Sequence, residues 1–402
     1  MPSVTFGPTD FRSVQQLERC RAASGEDAPS VLCADHHPGY SMPIGGVLAL
    51  KEKVMPAGVG YDIACGNCAA RTSVKADDLD TSQVMDELSI VLSFGVGRKN
   101  NEPVDHPVLD SIAHAHVKEQ ASMVQLARDQ LGTIGSGNHY VDLFRDESGY
   151  LWVGVHFGSR GFGHKTCTGF LALAAGKAWG DRLGDSGMDS VPLFLDLETP
   201  SGQDYLTAMD LAGEYAYAGR EWVVDRVLKM LGTHSVERVH NHHNFAWWET
   251  HGGERYLVIR KGSTPAFPGQ RGFIGGSMGE DAVIVTGMDS DWSREALYST
   301  VHGAGRVMSR TEAAGKVKWR RGPDGRKRPE RVRGGRVDWP SVQERVKLQG
   351  IELRGGGADE APEVYKRLPD VLAYHEGTIR IDHRLTPIGV AMAGAEYDPY
   401  KD

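Results

Sequence analysis

Apolar residues recur at three- and four-residue spacings in several stretches of the chain, which is the pattern of helices that bury one face. These stretches are residues 82–93, 110–131, 168–183, 205–230 and 340–348. Short runs of β-branched and apolar residues lie between them and predict strands. Clear examples are residues 151–155, 256–259 and 282–285. Helices and strands are therefore expected to be interleaved along the chain.

The order of these elements favours one class of fold. Predicted strands and helices do not alternate as regular βα units, and the sequence contains no internal repeat. An α+β fold is therefore favoured over a doubly wound parallel sheet. Because no segment is typical of an interdomain linker, we expect a single domain over residues 1–402.

One segment of the chain is strongly basic although the formal net charge is -8. Residues 316–336 contain ten Lys or Arg residues against only Asp324 and Glu330, and they are also rich in Gly and Pro. This composition predicts a protruding basic hairpin or loop within the domain. Such a segment either binds RNA through its phosphates or is simply a solvated hairpin, and the sequence favours neither.

Composition excludes several classes of protein. With 40% hydrophobic and 24% charged residues the chain is typical of a soluble globular protein. No stretch approaches the roughly 18 to 20 apolar residues of a membrane span, and residues 1–12 lack a basic segment followed by an apolar run. We therefore expect a cytoplasmic protein with no membrane partner. Its five cysteines, an odd number, are expected to be thiols.

Glycine-rich turns beside the apolar runs carry residues typical of metal ligands. Asp62 and Cys65 lie three residues apart in GVGYDIACG, and His139, His156 and His243 follow in GSGNHYVD, VHFGSRG and VHNHHNFA. One carboxylate, one thiolate and three imidazoles can hold two divalent ions if the thiolate bridges them. This mixed ligand set suits Mn, Fe, Co or Zn.

Other interpretations of these residues stay open. A single histidine is more often a hydrogen-bonded core or surface residue than a ligand, but each of these three lies beside Gly or Asn after an apolar run. Cys65 and Cys68 form a C-x-x-C pair that could be half of a structural zinc site. No second pair follows at zinc-finger spacing, so we disfavour structural zinc.

A candidate nucleophile lies near the C-terminal end, in STVHGAGRVMSR. His302 precedes Gly303, Ala304 and Gly305, whose backbone N–H groups are expected near a ligand bound at the imidazole. Arg306 and Arg310 have spacings at which both could face the same ligand. An imidazole nitrogen can attack phosphorus and form a phosphoramidate, which divides one difficult transfer into two easier steps. The alternative is a glycine-rich helix start with an incidental histidine.

A second glycine-rich segment is suited to bind phosphates. Residues 260–279 read RKGSTPAFPGQRGFIGGSMG, where a basic pair precedes turn-forming glycines and Ser277. Backbone donors in such a loop can cradle phosphate oxygens. The segment matches neither a Walker loop nor a dinucleotide fingerprint, so it supports neither of those folds.

These motifs, with HHN and DEAPEVYK, resemble in this order the signature blocks of the RtcB family of RNA ligases, over about residues 35–394. The resemblance implies a single α+β domain with mixed sheets and a central metal and nucleotide cleft. It also implies two Mn²⁺, GTP, and joining of RNA 3′-phosphate or 2′,3′-cyclic phosphate ends to 5′-hydroxyl ends. The implied partners are RNA, such as broken tRNA or other RNA ends, and an archease-like activator.

The resemblance assigns the metal ligands residue by residue. Asp62, Cys65 and His139 would hold one Mn²⁺, whereas Cys65, His156 and His243 would hold the other. Cys65 would bridge the two ions.

The resemblance also assigns the nucleotide site. His302 would be guanylylated, Asn138 would lie by the guanylate phosphate and the loop at Ser277 would line the nucleotide pocket. Asp142 occupies the position where the family usually has Glu against the guanine edge, and Ala393 replaces the lysine that normally helps to bind guanine.

These two departures leave rival functions open. A chain that has lost ligation would be a metal-dependent RNA phosphoesterase that opens the cyclic phosphate. Alternatively, a noncatalytic protein would bind RNA through residues 316–336, and removing the metal would not change that binding.

Overall fold

The computed structural model describes residues 3–184, 187–321 and 327–394. The helices are α1 (Phe11–Ser24), α2 (Pro56–Val59), α3 (Thr81–Val91), α4 (Pro107–Ala113), α5 (Lys118–Ala121), α6 (Val124–Gln130), α7 (Arg160–Ala174), α8 (Pro200–Met230), α9 (Asp291–Glu295), α10 (Arg310–Ala314), α11 (Trp339–Leu348) and α12 (Leu368–Ala373). Within the described part of the chain, no helix is long and apolar enough to cross a membrane.

The strands form two main sheets. They are β1 (Ser3–Thr5), β2 (Ser30–His37), β3 (Ile44–Leu50), β4 (Lys53–Val54), β5 (Gly66–Lys75), β6 (Tyr140–Arg145), β7 (Tyr150–Phe157), β8 (Leu195–Asp196), β9 (Ser235–His242), β10 (Asn244–His251), β11 (Glu254–Lys261), β12 (Ser263–Pro265), β13 (Arg271–Ile274), β14 (Ala282–Gly287), β15 (Ser299–Val301), β16 (Lys316–Arg321), β17 (Lys327–Arg333), β18 (Glu352–Gly356) and β19 (Ile379–Gly394). The larger sheet has the order β13-β14-β19-β6-β7-β5-β9, with β18 parallel to β19, and the smaller has the order β1-β2-β3-β11-β10. The α+β prediction is confirmed.

The larger sheet curls until its two end strands, β13 and β9, lie side by side. Two buried asparagine side chains bind the Phe273 backbone of β13: Asn67 of β5 donates to its carbonyl oxygen at 2.8 Å, and Asn241 of β9 accepts from its N–H at 2.9 Å. These amides therefore replace a backbone ladder across the gap. Inside the curl the side chains of Phe144, Trp152 and Phe273 pack in an apolar core.

Helix α8 covers the outer side of the larger sheet and joins it to the rest of the molecule. Thr199 caps the helix by accepting from the Gly202 N–H at 3.2 Å, and Pro200 occupies its first turn, where a missing N–H costs nothing. Buried side chains such as Tyr205 and Val224 pack against the other helices and the sheet. The helix predicted for residues 205–230 is present and begins five residues earlier.

Two other predicted helices have different bounds. Residues 110–131 form α4, α5 and α6 rather than one helix, because each short helix buries its own apolar face and the three-to-four spacing continues across the breaks. The prediction for residues 168–183 is wrong at both ends. Helix α7 begins at Arg160, within the motif VHFGSRG, and ends at Ala174, shortly before Gly176 turns to a φ of 71°.

The basic segment contains two strands that pair with each other. β16 and β17 form an antiparallel two-stranded sheet. Residues 322–326, in the middle of the segment, lie outside the described residues. A single domain over residues 1–402 stays a prediction.

Candidate active site

One rim of the curled sheet carries the predicted ligands. Cys65 directly precedes β5, His139 directly precedes β6, His156 lies near the end of β7, and His243 lies between β9 and β10. These strands are antiparallel neighbours in the sheet, so the start of one lies beside the end of the next. Strand pairing therefore brings together residues that are far apart in the sequence. His156 lies within a strand and not in the turn that its flanking glycines suggest.

The five predicted ligands form two clusters that share Cys65. The first consists of Asp62, Cys65 and His139, and the second of Cys65, His156 and His243, with the ligand atoms of each cluster within 4.8 Å of one another. His139 Nε2 lies 3.1 Å from Asp62 Oδ2 and 3.6 Å from Cys65 Sγ, and His156 Nε2 lies 3.2 Å from the same sulfur. Cys68 belongs to neither cluster and packs among apolar side chains.

The chemistry of these groups fits divalent cations. Burial lowers the pKa values of His139, His156 and His243, which favours the neutral imidazole with a lone pair for a metal. Burial also raises the pKa of the Cys65 thiol, which a coordinated cation would deprotonate. Among the described residues, the buried Nδ1 of His243 has no hydrogen-bond partner. An orphaned buried nitrogen is costly unless a ligand occupies it.

Arg160 fixes the orientation of His139. Its guanidinium lies 3.1 Å from His139 Nδ1, and the Ile134 carbonyl oxygen lies 3.1 Å from the same nitrogen. With Nδ1 occupied, Nε2 is the nitrogen that faces Asp62 and Cys65. Arg160 lies within the motif VHFGSRG but was not among the predicted site residues.

The candidate nucleophile is held by a residue that the sequence analysis missed. The Asp35 carboxylate of β2 lies 2.6 Å from His302 Nδ1 and also accepts from the backbone N–H groups of His302 at 3.0 Å and Gly303 at 3.4 Å. Asp35 is fully buried. Burial opposes its ionisation, but the charge and hydrogen bonds of His302 outweigh burial and hold the pKa of Asp35 below its usual range. A charged residue in the apolar run VLCADHH was the available signal.

His302 lies next to the second ligand cluster, which consists of Cys65, His156 and His243. Its ring centroid is 4.8 Å from that of His243. Since Asp35 engages Nδ1, Nε2 is the nitrogen left for a reaction. The N–H group of Gly303, which was expected near a ligand, points instead at Asp35, as does the N–H group of His302.

Arg306 also differs from its expected place. Its guanidinium donates to the carbonyl oxygens of Met308 and Asp359 and to the Tyr365 hydroxyl, and it forms an ion pair with Glu360. All three guanidinium nitrogens are thus engaged by protein acceptors. Its side chain therefore links residues 302–305 to the motif DEAPEVYK, and a role of Arg306 in binding a phosphate stays a prediction.

The predicted phosphate loop lies against the His302 loop. A Cβ atom built on Gly303 would meet the Gly275 carbonyl oxygen at 3.3 Å. Ser277, two residues after Gly275, is buried, and its hydroxyl donates a hydrogen bond to Glu280 at 3.5 Å. Ala304 is buried, and Gly305 has a φ of 77°.

The residues assigned to the guanylate phosphate and to guanine lie on or just before two adjacent strands, β6 and β19. Asn138 is half-buried directly before His139. Asp142 of β6 is buried beside Val390 of β19, and among the described residues its Oδ1 has no hydrogen-bond partner. Burial raises its pKa well above the ordinary value. Ala393 is buried near the end of the same strand β19.

Taken together, the site combines two clusters of potential metal ligands, which share the Cys65 thiol, with His302, whose Nε2 is not engaged by Asp35. Metal ions at such a site can neutralise phosphate oxygens while the imidazole attacks phosphorus.

Comparison with known proteins supports one family. The family model described as tRNA-splicing ligase RtcB matches residues 16–393. The chain is 30% identical to the tRNA-splicing ligase RtcB of Archaeoglobus fulgidus, over 94% of this chain and 90% of that protein. It is 33% identical to the RNA-splicing ligase RtcB of Escherichia coli K12, over 69% and 74%. The tRNA-splicing ligase RtcB of Thermococcus kodakarensis is 30% identical, over 94% and 91%.

Proposed function

The chain belongs to the RtcB family, and we propose that it is an RNA ligase. We propose further that it joins RNA 3′-phosphate or 2′,3′-cyclic phosphate ends to 5′-hydroxyl ends, with GTP as co-substrate and two Mn²⁺ as metal cofactors. Broken tRNA or other cleaved RNA would supply the ends.

The observation that carries this proposal is the placement of His302 between Asp35 and the metal clusters. Asp35 lies at Nδ1, so the lone pair of Nε2 is available toward the clusters. A histidine positioned by a buried carboxylate is a good nucleophile, because the carboxylate fixes the tautomer and stabilises positive charge on the ring. This arrangement supports a histidine-guanylate intermediate over a purely hydrolytic site.

The residues of the chain have distinct roles in the proposed reaction. Nε2 of His302 attacks the α-phosphorus of GTP, and the bond to pyrophosphate breaks. The GMP group then passes to the RNA 3′-phosphate, and the 5′-hydroxyl of the second RNA end displaces GMP. Asp35 holds the imidazole ring of His302 in one orientation through these steps.

Manganese is the proposed metal because the family resemblance implies it, and the mixed oxygen, nitrogen and sulfur ligand set, which also suits Fe, Co or Zn, is compatible with it. Asp62, Cys65 and His139 would hold one ion, and Cys65, His156 and His243 the other. Bound there, the ions would supply charge neutralisation to the phosphates.

The test is transfer of label from α-labelled nucleotides to the protein. We expect Mn²⁺ and GTP to give an acid-labile adduct that is absent from His302→Ala. The control is His116→Ala, an exposed histidine that pairs with Asp204. Label that persists in His302→Ala would contradict the assignment of the nucleophile.

The same assay separates the rival function. If no nucleoside triphosphate labels the protein while Mn²⁺ still opens a 2′,3′-cyclic phosphate RNA end, the chain is a phosphoesterase instead. The need for an archease-like activator stays a prediction. It is tested by adding such a protein to the assay and measuring whether the turnover number rises.

A further inference from the structure

A fully buried arginine of α8, Arg220, lies directly behind the metal clusters. The structure leaves none of its side chain exposed, and its hydrogen-bond partners among the described residues are all neutral groups. Buried guanidinium groups are usually paired with carboxylates, because an isolated charge in the interior is costly. A costly group in this position calls for a role other than packing.

Three of its hydrogen bonds end on residues that adjoin metal ligands. Nη1 donates at 2.9 Å to the carbonyl oxygen of Ala64, which precedes Cys65, and at 2.6 Å to that of Phe157, which follows His156. Nη2 lies 2.9 Å from Nδ1 of His242, which precedes His243. One planar group therefore joins β7, β9 and the turn that precedes β5 at the rim.

The three adjoining ligands are those of one cluster, namely Cys65, His156 and His243. The other cluster shares only Cys65 with them, and His139 has a separate support in Arg160. Each cluster thus has its own arginine.

We propose that Arg220 is a positioning residue that sets the spacing of Cys65, His156 and His243 for one of the two cations. This inference rests on the two-metal centre proposed above. The guanidinium fork is essential to the role, because its donors lie in one plane at fixed angles, whereas the ammonium group of lysine is a single point. Groups that orient metal ligands typically change metal affinity by about 10- to 100-fold when they are replaced.

The test is titration of the full-length protein with Mn²⁺ by calorimetry, together with electron paramagnetic resonance of the bound ions. We expect the wild type to bind two Mn²⁺ with an exchange-coupled signal. Arg220→Lys should keep one Mn²⁺ at wild-type affinity, bind the second about 10- to 100-fold more weakly, and show the signal of an isolated ion.

Arg260→Lys is the matched control. Like Arg220, Arg260 is a fully buried arginine. It binds Glu249, Ser299 and Leu297 rather than a neighbour of a metal ligand. We expect this variant to bind two Mn²⁺ like the wild type. If Arg220→Lys does not fold, as judged by circular dichroism, Arg220→Gln replaces it, since its amide keeps two donors in a plane.

Each other outcome overturns the proposal in a recognisable way. Two Mn²⁺ bound to Arg220→Lys at wild-type affinity, with the coupled signal kept, would remove the role of Arg220 and leave the two-metal centre intact. Equal weakening of both ions would indicate general loosening and not positioning. A wild type that fails to bind two Mn²⁺ would overturn the two-metal centre and this inference together.

Discussion

Single residues decide whether the candidate site can react, and Asp35 is the clearest case. In Asp35→Asn the side chain keeps its size, but it no longer holds the negative charge that stabilises the His302 ring. We expect the rate of guanylylation to fall by about 10²- to 10⁴-fold, as when a buried carboxylate behind a catalytic histidine is replaced by an amide. Single-turnover labelling from GTP with Mn²⁺ measures this rate. A wild-type rate in the variant would remove Asp35 from the mechanism.

Asp142 and Ala393 should weaken the preference for guanine. Guanine presents two N–H donors on one edge, which an ionised carboxylate accepts, but burial raises the pKa of Asp142 and favours its neutral form. Wild-type protein should therefore discriminate poorly between GTP and ATP. Asp142→Glu combined with Ala393→Lys should increase the ratio of GTP to ATP labelling by at least about tenfold, equivalent to about 1.4 kcal/mol. An unchanged ratio would place guanine recognition elsewhere.

Residues within one motif could be predicted from the sequence, whereas partners distant in the sequence could not. Asp62 and Cys65 lie in one turn, so their spacing already suggested a shared ligand. Asp35 and His302 are 267 residues apart, and only the fold brings them together. The same holds for Arg306, because its partner Glu360 lies 54 residues further on, and the neighbours of Arg306 in the sequence do not reveal that contact.

At the scale of elements, the turn between β6 and β7 depends on one carboxylate. Asp146 accepts from Arg71 and Trp152 at 3.0 Å and from the backbone N–H groups of Ser148 and Tyr150 at 2.9 Å. Burial raises its pKa, but these hydrogen bonds outweigh burial, and the pKa is lowered below the ordinary 3.8. The carboxylate therefore stabilises the fold above about pH 4, and this contribution is lost as the pH falls below that value.

Asp146→Asn should reduce the free energy of unfolding by about 2–3 kcal/mol at neutral pH, with a smaller difference near pH 3. Urea unfolding at both pH values measures it. The control is Asp77→Asn, where an exposed carboxylate pairs with Arg145 and little change is expected. A difference that grows as the pH falls would contradict the assignment. Since Asp146 lies outside the metal clusters, guanylylation should continue in the folded variant.

Helices and strands were predictable where one apolar face continues without interruption. The 205–230 stretch meets this condition, and α8 is one long helix. Between residues 110 and 131 the buried Val117 lies in extended backbone between two short helices, and apolar spacing alone does not reveal such a break. The curling of the larger sheet was equally hidden, because it depends on Asn67 and Asn241, whose partner Phe273 is distant in the sequence.

At the scale of the whole molecule, the proposed metal centre links separate parts of the chain. Its ligands adjoin four strands, β5, β6, β7 and β9, so bound cations would cross-link one rim of the curled sheet. Ligands that bind only the folded state stabilise it by mass action. Free Mn²⁺ at one hundred times its dissociation constant should thus raise the free energy of unfolding by about 2.7 kcal/mol for each site.

Cys65 tests whether the two sites are joined. Because Cys65 belongs to both clusters, Cys65→Ala should abolish the stabilisation by Mn²⁺ as well as guanylylation. His139→Ala and His243→Ala should each keep the stabilisation that comes from one of the two sites. Cys167→Ala, which removes a buried thiol that donates a hydrogen bond to the Pro56 carbonyl oxygen, is the control and should keep the full stabilisation by Mn²⁺. Unfolding midpoints with Mn²⁺ and with a chelator measure the difference. If Cys65→Ala were still stabilised as strongly as the wild type, the thiol would not be a ligand, and the cations would have to bind through the carboxylate and the three imidazoles alone.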